Sequence, residues 1–160
     1  MQKALLVTLA IGGAIGIFWP SGPEAPPAAA SSVEAAPGGA EPRETVLDRS
    51  GGGHFYANVE VNGQLVRFLV DTGATNVTLT ERDAERVGIA LSPDSYQTVG
   101  MGAGGPVRGQ VVKFDNVVLD GKNVRGLTGA VLEGGEMNLL GQDFLNNFTV
   151  EMRAGKMRIY

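Results

Sequence analysis

Cysteine is absent from the 160-residue chain, and histidine occurs once, at His54. The first absence excludes disulfides, thiol nucleophiles and thiolate zinc sites. The second makes a Ser-His-Asp triad or a multi-histidine metal centre hard to assemble. No metal and no cofactor is expected. Aromatic residues are sparse at 6%, and 13 Lys and Arg are outnumbered by 17 Asp and Glu, for a net charge of −4. Scattered basic residues in an acidic chain leave no electrostatic footprint for nucleic acid. What the chain has in excess is glycine, with 24 residues, against a usual share of about 7%.

The amino-terminal part differs from the rest. Ala4 to Trp19 is apolar or glycine except for Thr8, and Lys3 precedes it. A basic flank before an apolar block is the pattern of a secretory signal or a signal anchor. No further Lys or Arg occurs before Arg43, which predicts an inside amino terminus and an exported remainder. Residues 1–19 are therefore expected to be a single-pass anchor in the inner (cytoplasmic) membrane, with the remainder on the periplasmic side. A cleaved signal is the alternative. Six of the eight prolines fall within the first 44 residues. Residues 20–44, rich in Ala and Pro, carry too little apolar surface to offset ordering entropy and are expected to be a disordered linker. That leaves 45–160 as one folded domain.

The domain reads as strands and turns. Phe55, Ala57, Val59 and Val61 alternate with polar neighbours, and Asn62-Gly63 then marks a tight hairpin into Gln64–Val70, because both residues tolerate positive φ. A β-branched strand is expected at Asn76–Thr80, with Thr80 capping a helix over Glu81–Val87 that stops at Gly88. Further strands are expected at Tyr96–Met101, Pro106–Leu119 and Asn123–Leu132, with a turn at Asp120-Gly121. A short helix over Gln142–Asn147 precedes a last hairpin, Phe148–Arg153 and Lys156–Tyr160. The fold class is mostly β with one or two short helices.

Asp71-Thr72-Gly73 follows the apolar run Phe68-Leu69-Val70, so its carboxylate starts where a core strand meets a turn. An Asp-x-Gly turn is by itself ordinary loop chemistry. Three neighbouring features give it weight: a hairpin before it with Ala74-Thr75 and a β-branched strand after it, a glycine-rich stretch at Gly100-Met101-Gly102-Ala103-Gly104-Gly105, and Leu139-Leu140-Gly141 ahead of a short helix. The glycine stretch also fits a dinucleotide-binding G-x-G-x-x-G, but that motif needs a helix at its third glycine. Pro106 onward reads as a strand instead.

In that order these features resemble the retropepsin-like aspartic protease family, and its membrane-anchored bacterial single-domain members in particular. The likeness runs from about His54 to Tyr160. It implies a β-barrel-like subunit of the acid-protease type carrying one catalytic aspartate, Asp71. The implied chemistry uses two carboxylates sharing one proton: one takes a proton from water while the other hydrogen-bonds the scissile carbonyl. The chain holds a single Asp-Thr-Gly, so the resemblance implies a homodimer with Asp71 from each subunit, acting on polypeptide substrates. Thr72, Gly73 and Ala74 would support the catalytic loop, Ala74 bordering the substrate channel. Gly100, Met101, Gly102, Ala103, Gly104 and Gly105 would form a flap. Leu139, Leu140 and Gly141 would pack the loop from behind. A non-catalytic peptide-binding or dimerisation module on the same fold is the competing reading.

Retroviral members of the family carry an acid and an arginine that pair where this chain has Thr75 and Gln142. A neutral Thr75–Gln142 contact is the expected replacement. His54 is expected on the surface, and Glu81, Arg82, Glu85 and Arg86 on a solvated helix face. Lys156–Tyr160 reads as the return strand of a local hairpin, not clearly as a strand offered to a partner subunit.

Overall fold

A computed structural model describes residues 41–102 and 104–160. The expected anchor at residues 1–19 and all but the last residues of the linker lie outside this range, as does Ala103. Strand β1 spans Thr45–Asp48, β2 Tyr56–Val61, β3 Gln64–Val70 and β4 Thr78–Thr80. Helix α1 (Glu81–Arg86) and a 3-10 turn (Pro93–Ser95) lead to β5 (Gln97–Gly102), β6 (Gly105–Leu119) and β7 (Lys122–Leu132). Then come β8 (Leu139–Leu140), α2 (Gln142–Leu145), β9 (Val150–Arg153) and β10 (Lys156–Ile159). The domain is mostly β with two short helices, as the sequence predicts.

The larger sheet has the order β2-β3-β8-β4-β7-β6-β5, and β2 pairs additionally with β6. That extra pairing, Glu60 with Val118 and Val61 with Val117, curls the sheet back on itself. The alternating residues Phe55, Ala57, Val59 and Val61 are all buried, beneath Phe68, Phe114, Leu79, Leu140 and Phe144. Each such side chain contributes about 1.5–3 kcal/mol by leaving water. Two-residue turns close three hairpins: Asn62-Gly63, Asp120-Gly121 and Ala154-Gly155, with every turn residue at positive φ. This is the turn geometry whose twist matches the flanking strands.

Thr80 caps α1 as expected, its Oγ1 accepting the Asp83 N–H at 3.2 Å. Arg82, Glu85 and Arg86 are exposed and Glu81 partly so, as the sequence suggests. Glu81 accepts the Tyr96 hydroxyl at 2.6 Å, and Arg86 donates to the buried Asp83 at 2.7 Å. The expected strand at Asn76–Thr80 begins only at Thr78, because Asn76 and Val77 are bonded elsewhere.

Strand β1 is not foreseen from the sequence. It completes a second sheet, β1-β10-β9, pairing antiparallel with β10 so that Thr45 lies opposite Ile159. A polar clasp fixes its entry. The Arg43 N–H donates to the Asp120 carbonyl at 2.9 Å, and the Thr45 hydroxyl donates to the Asp120 carboxylate at 2.6 Å. The buried Lys122 ammonium donates to Thr45 Oγ1 at 2.9 Å and to the Arg43 carbonyl. Burial pushes the Lys122 ammonium below its usual range, while Asp120 pulls the other way.

Candidate active site

The short strand β8 sits between β3 and β4, parallel to the first and antiparallel to the second. The segment joining β3 to β4, residues 71–77, therefore has to cross over the end of β8. That crossing creates the site. Asp71 is the first residue beyond β3, half-buried, and its N–H donates to the Leu140 carbonyl at 3.1 Å. Its carboxylate Oδ1 accepts the Gly73 N–H at 2.8 Å, and its carbonyl accepts the Ala74 N–H at 3.2 Å. The turn thus holds the acid by its own backbone.

Leu139, Leu140 and Gly141 lie directly behind this turn. Both leucines are buried and continue β3 through the pairs Leu69 with Leu139 and Val70 with Leu140. Glycine is required at position 141 because the loop lies against it. A Cβ there would stand 2.4 Å from the Asn76 carbonyl oxygen. Gly129 on β7 does the same on the other side, with Val77 O only 2.1 Å from where its Cβ would be. The sequence reading missed Gly129, since a glycine inside a strand announces a close approach without naming what approaches.

Thr72 and Gly73 are exposed at the tip of the turn. Ala74 is fully buried in the single subunit. Gln142 reaches the loop that carries Thr75. Its Nε2 donates to the Thr72 carbonyl at 2.7 Å, and its N–H donates to the Ala74 carbonyl at 2.8 Å. Thr75 accepts through its carbonyl from the Asp143 N–H at 2.9 Å.

Two further polar side chains escaped the sequence reading. Asn138 is buried and ties three elements together, donating to the Arg67 carbonyl and Asp83 and accepting the Thr80 N–H at 2.8 Å. Asp143, in α2, accepts the Val77 N–H with both carboxylate oxygens, each at 3.0 Å. The signal in each case was a short polar residue flanking the buried Leu139-Leu140 run.

The glycine-rich stretch is a hairpin. Gly100 pairs with Val107, Met101 with Pro106 and Gly102 with Gly105, after an irregularity between Thr98 and Gly100. Gly100 is buried, whereas Met101 is 50% exposed. Gly105 has φ of +112°, a conformation other residues rarely adopt. A strand follows the last glycine instead of a helix, which excludes the dinucleotide reading. His54 is exposed, as expected. Among the described residues no group of three or more His, Cys, Asp or Glu could hold a metal ion, and no helix is long and apolar enough to cross a membrane.

A turn-borne acid at the end of a core strand, backed by a hydrophobic-hydrophobic-glycine strand and accompanied by a glycine hairpin, is the architecture of a retropepsin-like subunit. Comparison with known proteins agrees. Residues 57–147 match the family described as "gag-polyprotein putative aspartyl protease", and the chain belongs to that family. It superposes on the crystal structure of a retropepsin-like aspartic protease from Rickettsia conorii with a TM-score of 0.66 and 29% identity, covering 73% of this chain and 89% of the other. Among curated sequences it is 36% identical over 107 residues to an uncharacterized protein of Rickettsia prowazekii, covering 66% of this chain and 46% of that one. It is 30% identical over 120 residues to an uncharacterized Sinorhizobium protein from the cobV 5' region, covering 73% and 52%. The chain spans about half the length of these curated relatives.

Proposed function

We propose that the protein is an aspartic endopeptidase that works as a homodimer, each subunit supplying Asp71. The observation that carries this reading is the hold on the Asp71 turn: the Gly73 N–H fixes one carboxylate oxygen, and the backbone is pinned to Leu140 from behind. An acid held this way is presented, not merely tolerated. Two such carboxylates brought within about 3 Å across a twofold axis cannot both ionise, so the pair shares one proton. The ionised member takes a proton from the attacking water. The protonated member donates a hydrogen bond to the scissile carbonyl oxygen. Proton transfer of this kind is worth about 10²–10⁴-fold in rate.

Thr72 and Gly73, exposed at the tip of the turn, are the surfaces through which the two loops would meet. The Gly100–Gly105 hairpin would cover the bound polypeptide, with Met101 and Gly102 towards the substrate. Residues 1–19 as a membrane anchor and 20–44 as its tether belong to the same reading and rest on the sequence alone.

The test is cleavage of a peptide library by the full-length chain against Asp71→Asn, which nearly preserves shape while abolishing the shared acid and base. Cleavage by the wild type and its loss in the variant, by a factor of about 10³ or more, is the expected result. Equal turnover by both, or a wild type that binds peptides without cutting any, would rule the mechanism out. The second outcome would leave a peptide-binding module.

A further inference from the structure

The proposed mechanism uses Asp71 and leaves unexplained the second half-buried acid of the site, Asp143. Its carboxylate meets no cation: no salt bridge among the described residues involves it. It accepts instead from amides, the Val77 N–H on both oxygens at 3.0 Å, Asn76 Nδ2 at 3.4 Å and the Phe144 N–H at 2.8 Å. The Phe144 bond is local to α2. The other two reach back to the far end of the 71–77 segment, more than 60 residues earlier.

Segment 71–77 is fastened in a regular way. At its start the Asp71 N–H is held by Leu140, in the middle the Thr72 and Ala74 carbonyls by Gln142 and the Thr75 carbonyl by the Asp143 N–H, and at its end the Val77 N–H by the Asp143 carboxylate. Three residues, Leu140, Gln142 and Asp143, thereby grip the loop from its start to its end. The carboxylate is the only one of these grips made by a charge. The strand β4 begins at Thr78, so the Val77 N–H has no ladder partner to fall back on. Burial raises the Asp143 carboxyl above the ordinary carboxylate range, with the Val77 and Phe144 N–H groups pulling it back. The amides that this carboxylate orders offset the cost of burying its charge in part.

We infer that Asp143 is a positioning residue for the catalytic loop, fixing the end of residues 71–77 through the Val77 N–H so that the Asp71 carboxylate is held in register for a partner across the dimer. The inference rests on the reading of Asp71 as the catalytic acid. Its role is geometric: a misplacement of about 1 Å in a reacting group can cost roughly 10²-fold in rate.

The experiment compares the full-length wild type, Asp143→Ala and Asp143→Asn by hydrogen exchange and by peptide-cleavage kinetics. Expected for Asp143→Ala is a loss of exchange protection confined to residues 71–77, about tenfold or more, with β2, β6 and β7 unchanged. In the same variant kcat falls about 10- to 100-fold while KM stays within about threefold. Asp143→Asn keeps one oxygen to accept the Val77 N–H and restores most of both. Unchanged protection at 71–77 overturns the inference. So does an equal loss across the whole barrel, an unfolded variant included, because Asp143 would then be a general stability residue. So also does an Asn variant no better than Ala. If the wild type cuts no peptide, the catalytic reading falls, and the exchange pattern still decides whether Asp143 holds the loop.

Discussion

Asp83 and Asp143 each lie in a short helix just after a short strand, and their surroundings drive them in opposite directions. Burial works against the charge of Asp83, but the hydrogen bonds from Asn138 and Arg86 outweigh it and hold the carboxyl below its ordinary value of 3.8. Its contribution to stability is therefore fully present above that value and is lost as pH falls through the lower folded-state value. Asp143, raised above 3.8, has the reverse sign: the folded state binds its proton more tightly, and stability declines as pH rises out of the acid range. Asp83→Asn is expected to cost about 1 kcal/mol near neutral pH, because Arg86 and Asn138 then bond a neutral group instead of a carboxylate. It should also flatten the acid limb of the stability curve, which urea melts across pH 3 to 7 would detect. Asp71 was legible in the sequence because a motif surrounds it. Asp83, Asn138 and Asp143 were not, because what gives each its role includes a group dozens of residues away.

Among the elements, those punctuated by glycine turns were the ones the sequence revealed best. Asn62-Gly63 and Asp120-Gly121 carry residues made for positive φ, and the hairpins around them lie where expected. Ala154-Gly155 adopts the same geometry with the wrong first residue: Ala154 sits at φ of 49° and is exposed. An L-residue with a Cβ pays about 1–2 kcal/mol there, which Asn largely escapes. Ala154→Asn is therefore expected to raise stability by about 0.5–1 kcal/mol, measured as a shift in the denaturation midpoint with no change in slope. The elements that escaped were β1 and β8, four and two residues long. Neither has a period to read. β1 exists because β10 offers a ladder and Lys122 with Asp120 clasps its entry. β8 exists because β3 and β4 leave a gap of one strand between them. Tertiary pairing, not local preference, makes both.

At the scale of the whole molecule, β1 and β10 pair within one chain, with β1 and β9 at the edges of their sheet. In the homodimer proposed above, contacts would be expected at the exposed turn of Thr72 and Gly73. If one Asp71 must meet another, specific activity should fall on dilution as dimers separate. An assay spanning about a thousandfold in enzyme concentration, read beside sedimentation, would reveal it. A constant specific activity from lone subunits would contradict shared-site catalysis.

The register that sets Thr45 opposite Ile159 has one more consequence. Both ends of the folded unit leave from the same corner, the one gripped by Lys122 and Asp120. Whatever is joined to either end pulls on that single corner, and a bridge of a few residues could splice the ends together. New termini could then be opened at an exposed turn such as Ala154-Gly155 without cutting through the barrel.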